Sequence, residues 1–89
     1  MGKIAATYDL MPESMDVPME SIVGSLDSII PNGVTIIETK IEPVAFGLKK
    51  VVVGFIIDDS DETIGSQLED GLRSISGVEN VECTSNALL

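Results

Sequence analysis

Lys50-Val51-Val52-Val53-Gly54-Phe55-Ile56-Ile57-Asp58 runs from a lysine to an aspartate with no polar side chain between them. β-branched and aromatic residues dominate the run, which favours an extended chain. It is apolar at odd and even positions alike, so neither face is a water-facing one. Such a run belongs in the middle of a sheet with a helical layer on at least one side. The apolar part, Val51 to Ile57, is far too short to cross a bilayer as a helix.

Working outward, the connection before it, Pro43-Val44-Ala45-Phe46-Gly47-Leu48-Lys49, is too long for a tight two-residue turn. It leads back to a second extended stretch, Val34 to Glu42. Alternation there places Ile37, Thr39 and Ile41 on one face and Ile36, Glu38 and Lys40 on the other. Upstream, Met19, Ile22, Val23, Leu26, Ile29 and Ile30 recur at three- and four-residue spacing, which predicts an amphipathic helix over 17–30. Asp16 is its expected N-cap, Pro18 falls in the first turn, and Pro31-Asn32-Gly33 ends it. Lys3 to Met11 reads as a largely buried first strand stopped by Pro12.

Downstream, the acidic connection Asp58-Asp59-Ser60-Asp61-Glu62 enters a second helix over 64–76. Ile64, Leu68, Leu72 and Ile75 supply its apolar stripe, Ser66 with Glu69 resembles a capping box, and Gly77 suits a left-handed C-terminal cap. Val78, Val81 and Cys83 mark a last strand, followed by a tail from Ser85 to Leu89. The order is βαββαβ. It predicts an α+β ferredoxin-like sandwich, four antiparallel strands with two helices on one face. Ile22, Leu26, Leu68, Leu72, Val53 and Phe55 are expected in its core.

Eighty-nine residues, 44% hydrophobic and 22% charged, fit one globular domain over 1–89. The net charge of −10 repels phosphate backbones, so nucleic acid and anionic membranes are unfavourable partners and a basic protein surface is a favourable one. The absence of histidine removes the commonest general base and metal ligand. Cys83, the single cysteine, forms no internal disulfide and fits a reducing compartment. No signal peptide is legible before Asp9 and Glu13, and Ala6 stands where a myristoylation motif wants serine or threonine. A soluble, cytoplasmic protein is expected.

Few residues offer chemistry. The acidic run Asp58 to Glu62 fails as a calcium loop, because Ile64 falls where glycine is required and Asp70 where glutamate is required. It reads as a solvated helix entry. Cys83 has no histidine to activate it and reads as a small buried hydrophobe. No phosphate-binding glycine pattern exists, so no nucleotide or other cofactor is expected. Tyr8, Phe46 and Phe55 are too few aromatics for an RNA-binding sheet. Met11, Met15 and Met19 read as gap-fillers. The unusual feature is Phe46, between Ala45 and Gly47, with two of the five basic residues, Lys49 and Lys50, just after it. Phe46 either tucks beneath the hairpin or is presented to a partner.

Val44-Ala45-Phe46-Gly47-Leu48-Lys49-Lys50 resembles the signature of the elongation factor 1-beta family. Met11-Pro12-Glu13-Ser14, Ile30-Pro31-Asn32-Gly33-Val34 and Gly77-Val78-Glu79-Asn80-Val81-Glu82 are similar to the archaeal form, and the resemblance spans essentially the whole chain. It implies a non-enzymatic guanine nucleotide exchange factor for elongation factor 1-alpha, the GTPase that delivers aminoacyl-tRNA. By the resemblance, Phe46 enters an apolar pocket on the GTPase's second domain, flanked by Gly47, Leu48, Lys49 and Lys50. In eukaryotic members of the family a penultimate lysine reaches toward the magnesium site, and archaeal relatives commonly end in an arginine-containing tail. Here Leu88 occupies the penultimate position, so that role does not transfer. Leu88 and Leu89 are then expected to pack against the sheet, the alternative being an apolar wedge toward the partner. Two other classes stay open: a ferredoxin-like module binding a small molecule, and a non-exchanging subunit of an elongation factor complex.

Overall fold

The computed structural model describes residues 2–58 and 63–89. Its elements are β1 (Lys3–Pro12), α1 (Met19–Ile29), β2 (Val34–Pro43), β3 (Lys49–Asp58), α2 (Ile64–Arg73) and β4 (Val78–Leu88). The four strands form one antiparallel sheet in the order β2-β3-β1-β4. This is the ferredoxin-like α+β arrangement, with β3 and β1 in the centre. The Val51–Ile57 run therefore has a strand on each side.

Alternation along the central strands decides the layers. Ala6, Tyr8 and Leu10 of β1 and Val51, Val53, Phe55 and Ile57 of β3 are buried beneath the helices. Helix α1 lays Ile22 and Leu26 over β3, while α2 lays Leu68 and Leu72 over β3 and β4. All six expected core residues are buried. Tyr8 and Phe55 meet edge to face with ring centroids 5.9 Å apart, the favoured aromatic geometry.

The helix ends depart from expectation. Helix α1 begins at Met19 with Pro18 in the extended cap position and no side-chain cap, so Asp16 does not fill that role. Helix α2 stops at Arg73, and Ile75 is buried from the turn beyond it. Gly77 has a φ of 93°, but in the turn closed by the Val78 N–H donating to the Ile75 carbonyl. Ser66 and Glu69 lie inside the helix and form no capping box. Glu69 instead accepts a 2.9 Å hydrogen bond from the Tyr8 hydroxyl, tying α2 to the sheet. Burial and this carboxylate together hold the Tyr8 phenol well above its ordinary pKa.

Strict alternation also fails in β2. The register slips between Ile36 and Glu38, leaving Ile37 as the extra residue of a bulge. Ile36 pairs with Phe55 on the helix-facing side, as Thr39 and Ile41 do with Val53 and Val51. Ile37 moves to the open face with Glu38 and Lys40. Gly54 explains the tolerance: a Cβ there would stand 3.4 Å from Ile37 Cγ1, so the missing side chain gives Ile37 its place.

Strand β4 continues through the expected tail to Leu88, pairing Ser85 with Thr7, Ala87 with Ala5 and Leu88 with Ile4. Backbone bonding, ending with Leu89 N–H donating to the Lys3 carbonyl at 2.8 Å, holds this segment. Leu88 and Leu89 are 73% and 70% exposed, which overturns their expected packing. Cys83 sits opposite Tyr8 on this edge strand and is exposed rather than buried. No helix among the described residues is long and apolar enough to cross a membrane.

Candidate docking surface at the hairpin between β2 and β3

The hairpin is closed by two backbone bonds. Val44 N–H donates to the Leu48 carbonyl at 2.7 Å, and Leu48 N–H donates to the Ala45 carbonyl at 3.3 Å. Between them, Phe46 has φ 62° and ψ 32°, and Gly47 has φ 78°. Two successive positive φ values make a primed turn, which normally employs glycine, asparagine or aspartate. Gly47 suits it without strain. Phe46 does not, since the left-handed region crowds a Cβ at a cost of about 1–2 kcal/mol.

The ring gains nothing within the fold to offset that strain. Phe46 is 93% exposed, the most exposed of the large hydrophobic residues described. The ring is therefore not tucked under the hairpin but stands exposed.

The lysines after it diverge because consecutive strand residues point to opposite faces. Lys49 pairs with Pro43 on the helix-facing side, stays exposed and borders a cleft beneath the turn. Lys50 turns to the open face, where its Nζ is 2.8 Å from Asp9 Oδ2 across the β1–β3 pairing. Its hydrogen bond with Asp9 raises the Lys50 pKa. The two lysines do not form one rim.

Leu88 is distant from this cluster. It lies opposite Ile4, while Val51, next to the hairpin, lies opposite Leu10. Six steps of β1 separate those positions, about 20 Å along the strand. Gly47, Leu48 and Lys49 thus gather with Phe46 at one end of the sheet, Lys50 faces Asp9 beside them, and Leu88 marks the other end.

Two residues that sequence reasoning did not place here join the hairpin. Met15, from the loop between β1 and α1, puts its Sδ 3.5 Å from where a Cβ on Gly47 would stand. It is 67% exposed, so only Met19 of the three methionines is a buried filler. Ile41, 41% exposed, lines the same cleft from β2. The proximity of Met11-Pro12 to the start of β3 was a readable signal once register was known. Alternation grouped Ile41 with Thr39 correctly, but it carries no sign that Ile41 stays exposed near the end of an edge strand.

Among the described residues no group of three or more histidine, cysteine, aspartate or glutamate side chains could hold a metal ion. Most of the acidic run, Asp59 to Glu62, lies outside them. What fold and surface define together is a ferredoxin-like domain presenting an aromatic on a strained hairpin, with its apolar surroundings exposed.

The chain belongs to the family of the EF-1 guanine nucleotide exchange domain, which it matches over residues 5–88. It is 35% identical over 85 residues to "Elongation factor 1-beta" of Methanococcoides burtonii, covering 94% of this chain and 93% of that protein. It is 37% identical over 83 residues to the protein of that name in Methanosarcina mazei, covering 92% of each. In Archaeoglobus fulgidus the identity is 34% over 89 residues, covering 100% of both. Among solved structures, the C-terminal domain of the MgtC protein from Mycobacterium tuberculosis superposes with a TM-score of 0.55 at 13% identity. It covers 100% of this chain and 88% of that one, a likeness of fold alone.

Proposed function

We propose that this domain, residues 1–89, is a guanine nucleotide exchange factor that promotes GDP release from elongation factor 1-alpha during translation elongation in the cytoplasm. The observation that carries the reading is the Phe46 ring, exposed on a left-handed backbone that folding alone does not reward. Strain and exposure at one residue are what a preformed anchor requires, since a partner's pocket then gains the ring without ordering it. Family membership supplies the kind of partner.

No bond of the nucleotide is made or broken in exchange, so the domain works without acid–base groups and is not an enzyme in the chemical sense. It acts by binding the nucleotide-free or distorted GTPase better than the GDP-bound one, and the coupling is reciprocal. A shift of four orders of magnitude takes about 5.5 kcal/mol of differential binding. Phe46 orients the domain on the GTPase's second domain, with Gly47, Leu48 and Lys49 against the same surface. Lys50 supports the hairpin through Asp9. The far end of the sheet, with Leu88 and Leu89 exposed, then approaches the nucleotide domain. Those leucines offer an apolar contact there where relatives in the family offer a basic one.

The test is release of fluorescently labelled GDP from the cognate GTPase with sub-stoichiometric domain added. Multiple-turnover acceleration is expected. Tight binding of the two proteins without acceleration would leave the domain a non-exchanging subunit instead.

A further inference from the structure

We propose that the cleft beneath the Phe46 turn is a second, concave half of the docking surface, receiving an apolar side chain from the same GTPase face that takes the Phe46 ring. This inference rests on the reading of Phe46 as an anchor. The cleft holds about 360 Å³ and is lined by Met15, Val17, Pro18, Ile41, Gly47 and Lys49, among others. That volume has room for one side chain, and the lining is mixed, with Met15, Val17, Pro18 and Ile41 offering apolar contact and Ser14, Glu20 and Lys49 polar contact.

Three arguments converge on this occupant. First, the described residues include six large hydrophobics left exposed; two of them, Met15 and Ile41, line the cleft from separate segments, and a third, Phe46, adjoins its Gly47 wall in the chain. Ile37 lies over the open sheet face and the two leucines lie at the far end. A gathered apolar patch is the usual mark of a contact surface. Second, Gly47 is at once a wall of the cleft and the neighbour of Phe46 in the chain. A surface that accepts the ring stands one residue away from the cleft wall, so the same partner can cover both. Third, Met15 lies beside the turn, with its Sδ 3.5 Å from where a Cβ on Gly47 would stand, and remains largely exposed. An unbranched thioether adapts to an incoming side chain better than a branched one does.

The rim adds polarity without blocking entry, with Glu20 on α1 and Lys49 on β3 both bordering the cleft. Beyond Ile41 it continues along α1 and β2 into a second hollow of about 380 Å³ that shares Glu20 and Ile41 with the first. Protrusion and recess lie side by side. A ring inserted in one direction and a side chain received in the other fix the rotation of the domain on its partner, which a single anchor cannot do.

The experiment compares Met15→Ser, Ile41→Thr and Phe46→Ala by calorimetric titration into the nucleotide-free GTPase, with a thermal melt and a sedimentation run for each variant. Met15→Ser and Ile41→Thr are each expected to weaken binding by roughly 3- to 30-fold with an unchanged melting temperature, and Met15→Leu to restore most of the affinity. If both cleft variants bind like the wild type while Phe46→Ala is weakened, the cleft inference is overturned and the anchor reading stands. If the cleft variants are weakened and Phe46→Ala is not, the cleft is a contact and the anchor reading fails. Should the variants alter self-association of the domain instead of its affinity for the GTPase, the occupant is a second copy and the proposal is wrong. Loss of stability in Met15→Ser leaves Ile41→Thr, on an edge strand, as the deciding variant.

Discussion

At position 46 a phenylalanine occupies backbone geometry that glycine or asparagine would adopt more easily. The separation of strain from burial makes a prediction that a core aromatic would not. Phe46→Asn should raise unfolding stability by up to about 1 kcal/mol while weakening GTPase binding severely. Phe46→Ala keeps a Cβ in the same strained region, so its stability should change by less than about 0.5 kcal/mol. Urea titrations of the three proteins test this, and a loss of stability in Phe46→Asn would show that the ring supports the fold. The sequence left this residue undecided between two positions, because neighbouring glycine and alanine signal a turn but not the sign of φ. Lys49 and Lys50 are adjacent in sequence, but strand geometry sends them to opposite faces.

Elements were legible where a stripe of apolar residues spoke for them and obscure where ends were fixed by local bonding. The stripes of α1 and α2 marked every core position they supply. Their caps were misplaced because Asp16, Ser66 and Glu69 have capping chemistry, but the chain bends elsewhere and Glu69 is recruited by Tyr8. Strand β4 ran longer than expected, since Ser85 to Leu88 carry little strand propensity and are held by pairing with β1. That pairing exposes the terminal leucines. Leu88→Ser should therefore leave the melting temperature nearly unchanged and slow GDP release at saturating domain, if the tail contacts the nucleotide domain as proposed. An unaltered release rate would remove the tail from the mechanism.

The Tyr8–Glu69 link between α2 and the sheet carries its own signature. The phenol is held protonated in the folded state above the ordinary tyrosine value of 10.0. Lys50 likewise has a folded pKa above its ordinary 10.5. Both shifts act in one direction: between the unfolded and folded pKa the folded state binds more protons, so stability falls as pH rises. Their contributions are complete below the unfolded values and are lost through the folded ones. Melting temperature should decline from about pH 10 upward, and Tyr8→Phe should make that decline shallower. A slope identical to the wild type would deny the phenol its role.

For the molecule as a whole, topology followed from one apolar run and the order of elements around it, and the sheet obeys it. Surface organisation did not follow, because which residues share an end of the sheet depends on register, on the bulge at Ile37 and on hairpin geometry. Register sets Phe46 and Leu88 at opposite ends of the sheet, and the molecule is elongated, with a long axis of 42 Å. A domain of that shape can touch two parts of one partner at once. Net charge of −10 should speed its approach to a basic surface, so the association rate is expected to fall as salt rises while dissociation changes little. Stopped-flow binding at several salt concentrations measures both rates.

The most direct test of the central claim is the GDP release rate from elongation factor 1-alpha as a function of domain concentration, for wild type and Phe46→Ala. A docking anchor outside the nucleotide site should leave the plateau rate within a few-fold while displacing the half-saturating concentration. Loss of about 2–4 kcal/mol of interface energy displaces it by roughly 30- to 900-fold. Wild-type domain that never accelerates release, or a Phe46→Ala curve superimposed on the wild-type one, would contradict the account.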